Sequence, residues 1–285
     1  MSSVAQLQSG KGHHDENFPV ASFLIAPRHR APVLAFYKFV RAADDVSDNA
    51  SASPEEKLAL LEEMRRSLVG ECDAISEGVA LRTVLWERKL SPVHALDLLE
   101  AFRRDCTKLR YRDWDDLIDY CRYSAMPVGR FVLDVHGESR ELWPANDALC
   151  AALQVINHLQ DCAKDYRELN RVYIPEPMLQ AARVGVEALA QDKANPALAG
   201  VISALARKNA ELLERSRPFS RGIKDGRLAL EVDLIQTIAD DLTRLLMNRD
   251  PLSQPVHHSK MDVAGLFLKR FPSFALMRLT RSRQK

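Results

Sequence analysis

Helix punctuation recurs along this chain while strand signals are nearly absent, and that pairing limits the fold more than any other feature. Ser53-Pro54, Ser91-Pro92 and Asn195-Pro196 each join a helix-capping side chain to a proline suited to the first helical turn. Ser53-Pro54-Glu55-Glu56 is also a capping box, and Leu58, Leu61, Met64 and Leu68 behind it repeat at helical spacing. The same punctuation predicts helices from Ser91 toward Leu109 and from Asn195 toward Arg215. Asp113 is expected to cap a helix through Tyr120 that Pro127 and Gly129 kink, and further helices are expected over 31–48, 147–169 and 227–248. No alternating run of β-branched and aromatic residues lies between hairpin turns. The chain therefore reads as all-α, with a leader over 1–14, one domain over 15–250 and a tail over 251–285.

Composition removes several functional classes. With 46% hydrophobic and 28% charged residues, the chain has the make-up of a soluble globular protein with a sizeable core. Lys plus Arg (40) nearly balances Asp plus Glu (39), so no whole-molecule field exists to capture nucleic acid. No GxGxxG or GxxxxGK loop occurs, against the common nucleotide-binding scaffolds. Cys72, Cys106, Cys121, Cys150 and Cys162 are odd in number, widely spaced and without a CxxC, which reads as reduced, mostly buried thiols in a cytoplasmic protein rather than a zinc site. No secretory leader is expected, and no apolar run reaches the ~18 to 20 residues of a membrane span.

Two acidic segments carry the chemistry. In Tyr37-Lys-Phe-Val-Arg41-Ala-Ala-Asp44-Asp45-Val-Ser-Asp48, helical spacing puts Tyr37, Arg41, Asp44 and Asp48 on one face. Like charges one turn apart cost a few tenths of a kcal/mol (~0.2 to 0.5) on a solvated helix, so the arrangement is mildly unfavourable without a cation. Asn157, Asp161 and Asp165 share a second face at i, i+4, i+8. A DxxxD pair arises often on solvated helices. Two of them among apolar residues suit Mg²⁺ ions that join carboxylates to a diphosphate and stabilise it as a leaving group.

With Tyr120-Cys-Arg-Tyr-Ser-Ala-Met-Pro-Val-Gly129 and Arg171-Val-Tyr-Ile-Pro175, these segments resemble the squalene and phytoene synthase family in order and spacing over roughly residues 17–250. The resemblance implies a single-domain isoprenoid-synthase fold with a central apolar cavity, and Mg²⁺-dependent ionisation of a prenyl diphosphate without a nicotinamide. It implies metal or diphosphate contacts for Asp44, Asp48, Asn157, Asp161 and Asp165. It implies substrate contacts for Ser22, Tyr37, Arg41, Tyr120, Ser124, Ala125, Gly129, Gln160, Arg171 and Tyr173. Glu16-Asn-Phe-Pro-Val-Ala-Ser22 and the run 35–45 look most like a bacterial branch of the hopanoid pathway. That branch acts as a carbon-oxygen lyase, ionising presqualene diphosphate and quenching the rearranged cation with water to give hydroxysqualene.

Ala21 and Gln160 stand where condensing members of the family commonly carry cations. Fewer fixed cations suit one diphosphate better than two, although Arg122, Arg130 and Lys164 offer charge from elsewhere. The alternatives are head-to-head condensation of two prenyl diphosphates and a non-catalytic helical scaffold. Handover with other enzymes of squalene metabolism is a further expectation.

Several residues have plainer readings. His158 points off the acidic face and is expected to pack; Phe36, Phe39 and Phe131 are expected in the core. Arg171 either holds diphosphate or caps the preceding helix. His13-His14 and His257-His258 are placed in flexible ends. The tail from Lys260 to Lys285 holds seven basic residues against Asp262, mixed with Phe and Leu. That composition fits either peripheral contact with the inner membrane face or packing on the domain.

Overall fold

The computed structural model describes residues 25–282, without the side chains of 277 and 279–282. The leader, His13-His14, Ala21, Ser22, Arg283 and Lys285 lie outside the described residues. Among those described, the regular structure is helical and no strand occurs, so the all-α expectation holds. The contacts gather into two compact units, one of Met1–Leu109 with Ile118–Gly137 and one of Arg110–Leu117 with Glu138–Lys285.

In the first unit, α1 (Pro27–Asp48), α2 (Pro54–Val69), α3 (Ser76–Arg88), α4 (Val93–Asp105) and α6 (Met126–His136) enclose a core around Phe36, Phe39, Leu61, Met64, Leu81, Leu98 and Phe131. Phe36 and Phe131 stack with ring centroids 4.0 Å apart, so the three phenylalanines are core residues as expected. Both bonds of the capping box form: Glu56 N donates to Ser53 Oγ at 3.2 Å and Ser53 N donates to Glu56 Oε2 at 2.9 Å. Gly70 ends α2 at φ +86°, a conformation that side chains with a Cβ rarely adopt.

Several elements differ from the sequence expectation; the helix expected from Ser91 toward Leu109 spans Val93–Asp105, with no side-chain cap at Pro92. Helix α1 begins at Pro27 rather than 31 and carries Pro32 inside it. Proline has no N–H for the Arg28 carbonyl one turn back, and Arg88 Nη2 donates to that carbonyl at 2.7 Å instead. Helix α3 has no capping side chain at Ile75, so it carries none of the punctuation that marks α2. The kink expected at Pro127 and Gly129 falls at Ala125 (φ −125°, ψ −48°), between α5 (Trp114–Ser124) and α6. Proline in the first turn of α6 restricts the residues before it, moving the break upstream. Asp113 caps α5, accepting from Asp116 N at 2.8 Å.

In the second unit, α7 (Trp143–Gln160), α10 (Pro196–Ser216) and α12 (Gly226–Leu246) form the main packing. They are joined by the short α8 (Cys162–Leu169), α9 (Glu176–Ala181) and α11 (Phe219–Gly222), and by α13 (Lys260–Ser282). Asn195 caps α10, accepting from Leu198 N at 2.9 Å. The helix expected over 147–169 starts earlier, at Trp143, and is interrupted at Asp161.

The placement of His257-His258 in a flexible end is corrected. Val256 is buried, His258 Nε2 lies 2.9 Å from Asp241 Oδ2, and the Asp250 carboxylate accepts from Ala194 N, Leu252 N and Ser253 Oγ. Composition gave no sign of these polar anchors. None of the five cysteines forms a disulfide, but only Cys121 and Cys162 are buried; Cys72, Cys106 and Cys150 are half-buried. Among the described residues, no helix is long and apolar enough to cross a membrane.

Candidate active site

In the first unit the acidic face sits at the C-terminal end of α1. Tyr37, Arg41 and Asp44 are half-buried and Asp48 is exposed. Arg41 is shared between neighbours: Nη1 lies 3.0 Å from Asp44 Oδ2 and Nη2 lies 2.8 Å from Asp45 Oδ1. Asp45, whose side chain is 5% exposed, was not singled out by the sequence although it adjoins Asp44. The Ser47 hydroxyl donates to the Asp44 carbonyl at 3.0 Å, and Lys57 Nζ donates to the Ser47 carbonyl at 3.1 Å. These bonds fix the last turn of the helix.

A helix C-terminus carries partial negative charge, and the last turn of α1 holds no basic residue. Packed protein around the Asp44 carboxylate thins its water shell, even though 34% of the side chain remains accessible. That desolvation, followed by the charge of Asp48, pushes Asp44 up from 3.8 to about 7, against the pull of Arg41. Asp105, the last residue of α4, adds further repulsion. It is buried and accepts a 2.7 Å hydrogen bond from the Tyr120 hydroxyl. Asp105 belongs to no DxxxD pair, so that spacing did not find it. The Ser124 hydroxyl oxygen is buried without a hydrogen-bond partner, Ala125 is buried at the break after α5, and Gly129 is half-buried in α6.

In the second unit Asn157 lies in the last turn of α7, which ends at Gln160, Asp161 interrupts the helix, and Asp165 lies in α8; Asn157, Asp161 and Asp165 are all half-buried. Asp161 has φ −99° and ψ 8°, in the sparsely populated bridge region. The backbone ladder runs through it nonetheless: Asp161 N donates to the Asn157 carbonyl at 2.9 Å and Asp165 N to the Asp161 carbonyl at 2.8 Å. The i, i+4, i+8 ridge therefore survives the interruption. Cys162 beside it is pushed up to about 12, first by burial and then by Asp165, and keeps its proton.

Gln160 is buried and turned toward its own chain. Its amide nitrogen donates to the Val256 carbonyl and lies 3.3 Å from His257 Nδ1, so that nitrogen is engaged within the protein. For Arg171, the main chain does the capping: its N–H donates to the Asp165 carbonyl at 3.1 Å while Asn170 takes the left-handed conformation at φ 52°. The Arg171 side chain is buried. Tyr173 is sandwiched between Tyr111 (centroids 5.4 Å apart) and His158 (3.4 Å apart, 12° between planes). Burial, then the Arg171 charge, lowers His158 from 6.5 to about 3, keeping it neutral. It packs, as the sequence reading expected. Of the outlying cations, Arg122 is exposed beside Asp119 and Lys164 is exposed.

Residues 11–262 match the sequence profile of the squalene/phytoene synthase family. The hydroxysqualene synthase of Rhodopseudomonas palustris is 56% identical over 257 residues, covering 90% of this chain and 88% of that protein. The hydroxysqualene synthase of Zymomonas mobilis is 56% identical over 266 residues, covering 93% and 90%. Among solved structures, a squalene synthase from Alicyclobacillus acidocaldarius superposes with a TM-score of 0.71 at 31% identity, covering 85% of this chain and 91% of that one. A profile that spans most of the sequence, relatives above half identity over nearly their full length and the shared helical architecture together establish that this chain belongs to the squalene/phytoene synthase family, an enzyme family acting on prenyl diphosphates.

Proposed function

We infer that this chain ionises presqualene diphosphate and delivers hydroxysqualene. The carbon–oxygen bond to diphosphate breaks, diphosphate leaves with the electron pair, and the cation rearranges. Water then adds through oxygen and loses a proton, so one water is consumed for each alcohol and diphosphate formed. The observation that carries this reading is the 56% identity, over about nine-tenths of the chain, to enzymes named for that product.

The donor set at the end of α1 fits a divalent cation. Asp44 and Asp48 stand one turn apart at a helix C-terminus, with Asp44 held near 7 by burial and by Asp48. A hard cation with oxygen ligands relieves that crowding. Asp44 and Asp48 in one unit, and Asn157, Asp161 and Asp165 in the other, are the residues that would hold Mg²⁺. When bound, Mg²⁺ would supply charge stabilisation to the departing diphosphate.

Arg41 orients Asp44 and Asp45 through its two ion pairs, and its second task is a diphosphate contact shared with Tyr37. Tyr120 is held by Asp105. Ser124, Ala125 and Gly129 keep side-chain volume small where a long apolar chain must fit. Arg171 provides a buried cation and Tyr173 a fixed aromatic wall.

The test is incubation of the purified protein and Mg²⁺ separately with presqualene diphosphate and farnesyl diphosphate, with products identified by mass spectrometry. Hydroxysqualene from the first, with little turnover of the second, supports the reading. Efficient condensation of farnesyl diphosphate replaces it with the prenyltransferase alternative.

A further inference from the structure

Helix α13 is docked on the second unit through one face. Arg270 grips Asp233 with two bonds, at 2.7 and 3.0 Å, and the Asp233 side chain is only 4% exposed. Four residues on, Phe274 is buried; four further, Arg278 donates to the Ile223 and Lys224 carbonyls at 2.9 and 3.1 Å. Steps of four keep these three side chains on one side of the helix.

The remaining apolar residues point elsewhere. Met261 is 85% exposed, Leu268 73%, Leu276 64% and Phe271 44%. At ~100° per residue the other three fall within about 80° of Leu268. A helix that has already buried one face gains nothing in folding from a second apolar stripe left in water. Lys260 and Lys269 are exposed on the same helix, and the sequence continues into Arg281, Arg283 and Lys285. Asp262 is the only acid from 260 onward, and its carboxylate accepts from Ser259 N and Oγ at the start of the helix.

We propose that the outward stripe of α13 is a docking surface for an anionic lipid bilayer, with α12 serving as its rigid mount. An apolar stripe flanked by lysines lets the side chains enter the acyl boundary while the ammonium groups meet lipid phosphates. A second copy of this chain fits worse, because a two-fold interface would set lysine stripes against each other with no acid free to answer them. The docked Arg270 and Arg278 are excluded from the lipid contact, which narrows the surface from the whole tail to one face. The product chemistry agrees, since a water-insoluble alcohol must leave into lipid; that supporting step alone rests on the function proposed above.

The experiment uses the full chain with vesicles of phosphatidylcholine alone and of phosphatidylcholine mixed with phosphatidylglycerol, read by co-sedimentation. The unmutated chain is expected to bind the mixed vesicles and not the neutral ones. A Met261→Gln, Leu268→Gln, Leu276→Gln variant, which keeps every charge, should bind them about tenfold or more weakly while retaining its unfolding temperature. Lys269→Glu should also weaken binding and flatten its salt dependence. Equal binding by the apolar-face variant, or no binding by the unmutated chain, would overturn the proposal. So would a dimer in vesicle-free buffer that the variant abolishes without any change in vesicle binding. None of these readouts involves turnover, so failure here leaves the catalytic assignment standing.

Discussion

The two acidic segments share the same spacing and differ in what surrounds it. The segment ending α1 lies on an unbroken helix and carries its own guanidinium; burial first, then Asp48 and more weakly Asp105 and Asp45, drive Asp44 up to about 7 against Arg41. The segment from Asn157 to Asp165 begins with a neutral amide and passes through an interruption at Asp161, while its backbone ladder continues. Spacing places the carboxylates in both cases. At Asp44 it does not show the burial, nor the charge that Asp105 adds from another helix.

Substitution at each segment has the largest expected effect. Asp44→Asn and Asp161→Asn should each lower kcat with presqualene diphosphate by about 10² to 10³, the scale of losing a group that stabilises developing charge. Both proteins should stay folded, and without Mg²⁺ the Asp44→Asn protein should match or exceed the unmutated unfolding temperature, because a disfavoured charge has been removed. Undiminished turnover in either variant, at saturating Mg²⁺, breaks the symmetry between the segments.

The next effect separates them. Arg41→Gln removes the cation built into the first segment and should cost about tenfold to a hundredfold in kcat/KM, whereas Lys164→Gln beside the second should leave turnover nearly unchanged. Steady-state kinetics on the two variants checks this directly. A smaller change, in stability, is expected for Tyr120→Phe. It strips the hydroxyl donor from buried Asp105 and should lower the unfolding free energy by about 1 to 3 kcal/mol, measured by urea denaturation.

Finally, the segments should respond to pH with opposite signs in Mg²⁺-free protein. The folded-state pKa of Asp44 is raised, so its contribution to stability is present below pH 3.8 and is lost as pH rises through about 7. That of His158 is lowered, so its contribution is present above 6.5 and is lost as pH falls toward about 3. Asp44→Asn should flatten the first slope and His158→Phe the second, in unfolding temperatures taken across that range.

Much of the helical layout was legible because local chemistry writes it: Ser53, Asp113 and Asn195 cap the helices they were expected to cap. Helix α3 was not, because it starts at Ile75 without a side-chain cap and is held by packing against α1 and α2. The start of α1 at Pro27 rather than 31 was not legible either: Pro32 has no N–H for the Arg28 carbonyl, and the substitute donor, Arg88, lies sixty residues away. Which acidic-segment residues lie at helical spacing was readable. Asp105 and the inward turn of Gln160 were not, since each depends on a partner distant in sequence, Tyr120 in one case and Val256 in the other.

The claim on which the rest depends is that the protein breaks the carbon–oxygen bond and lets water capture the cation. Turnover of presqualene diphosphate in water enriched with heavy oxygen, with both products analysed by mass spectrometry, tests it most directly. The account predicts one heavy oxygen in the alcohol and none in the released diphosphate. Label in the diphosphate with an unlabelled alcohol would mean cleavage at phosphorus and would contradict it.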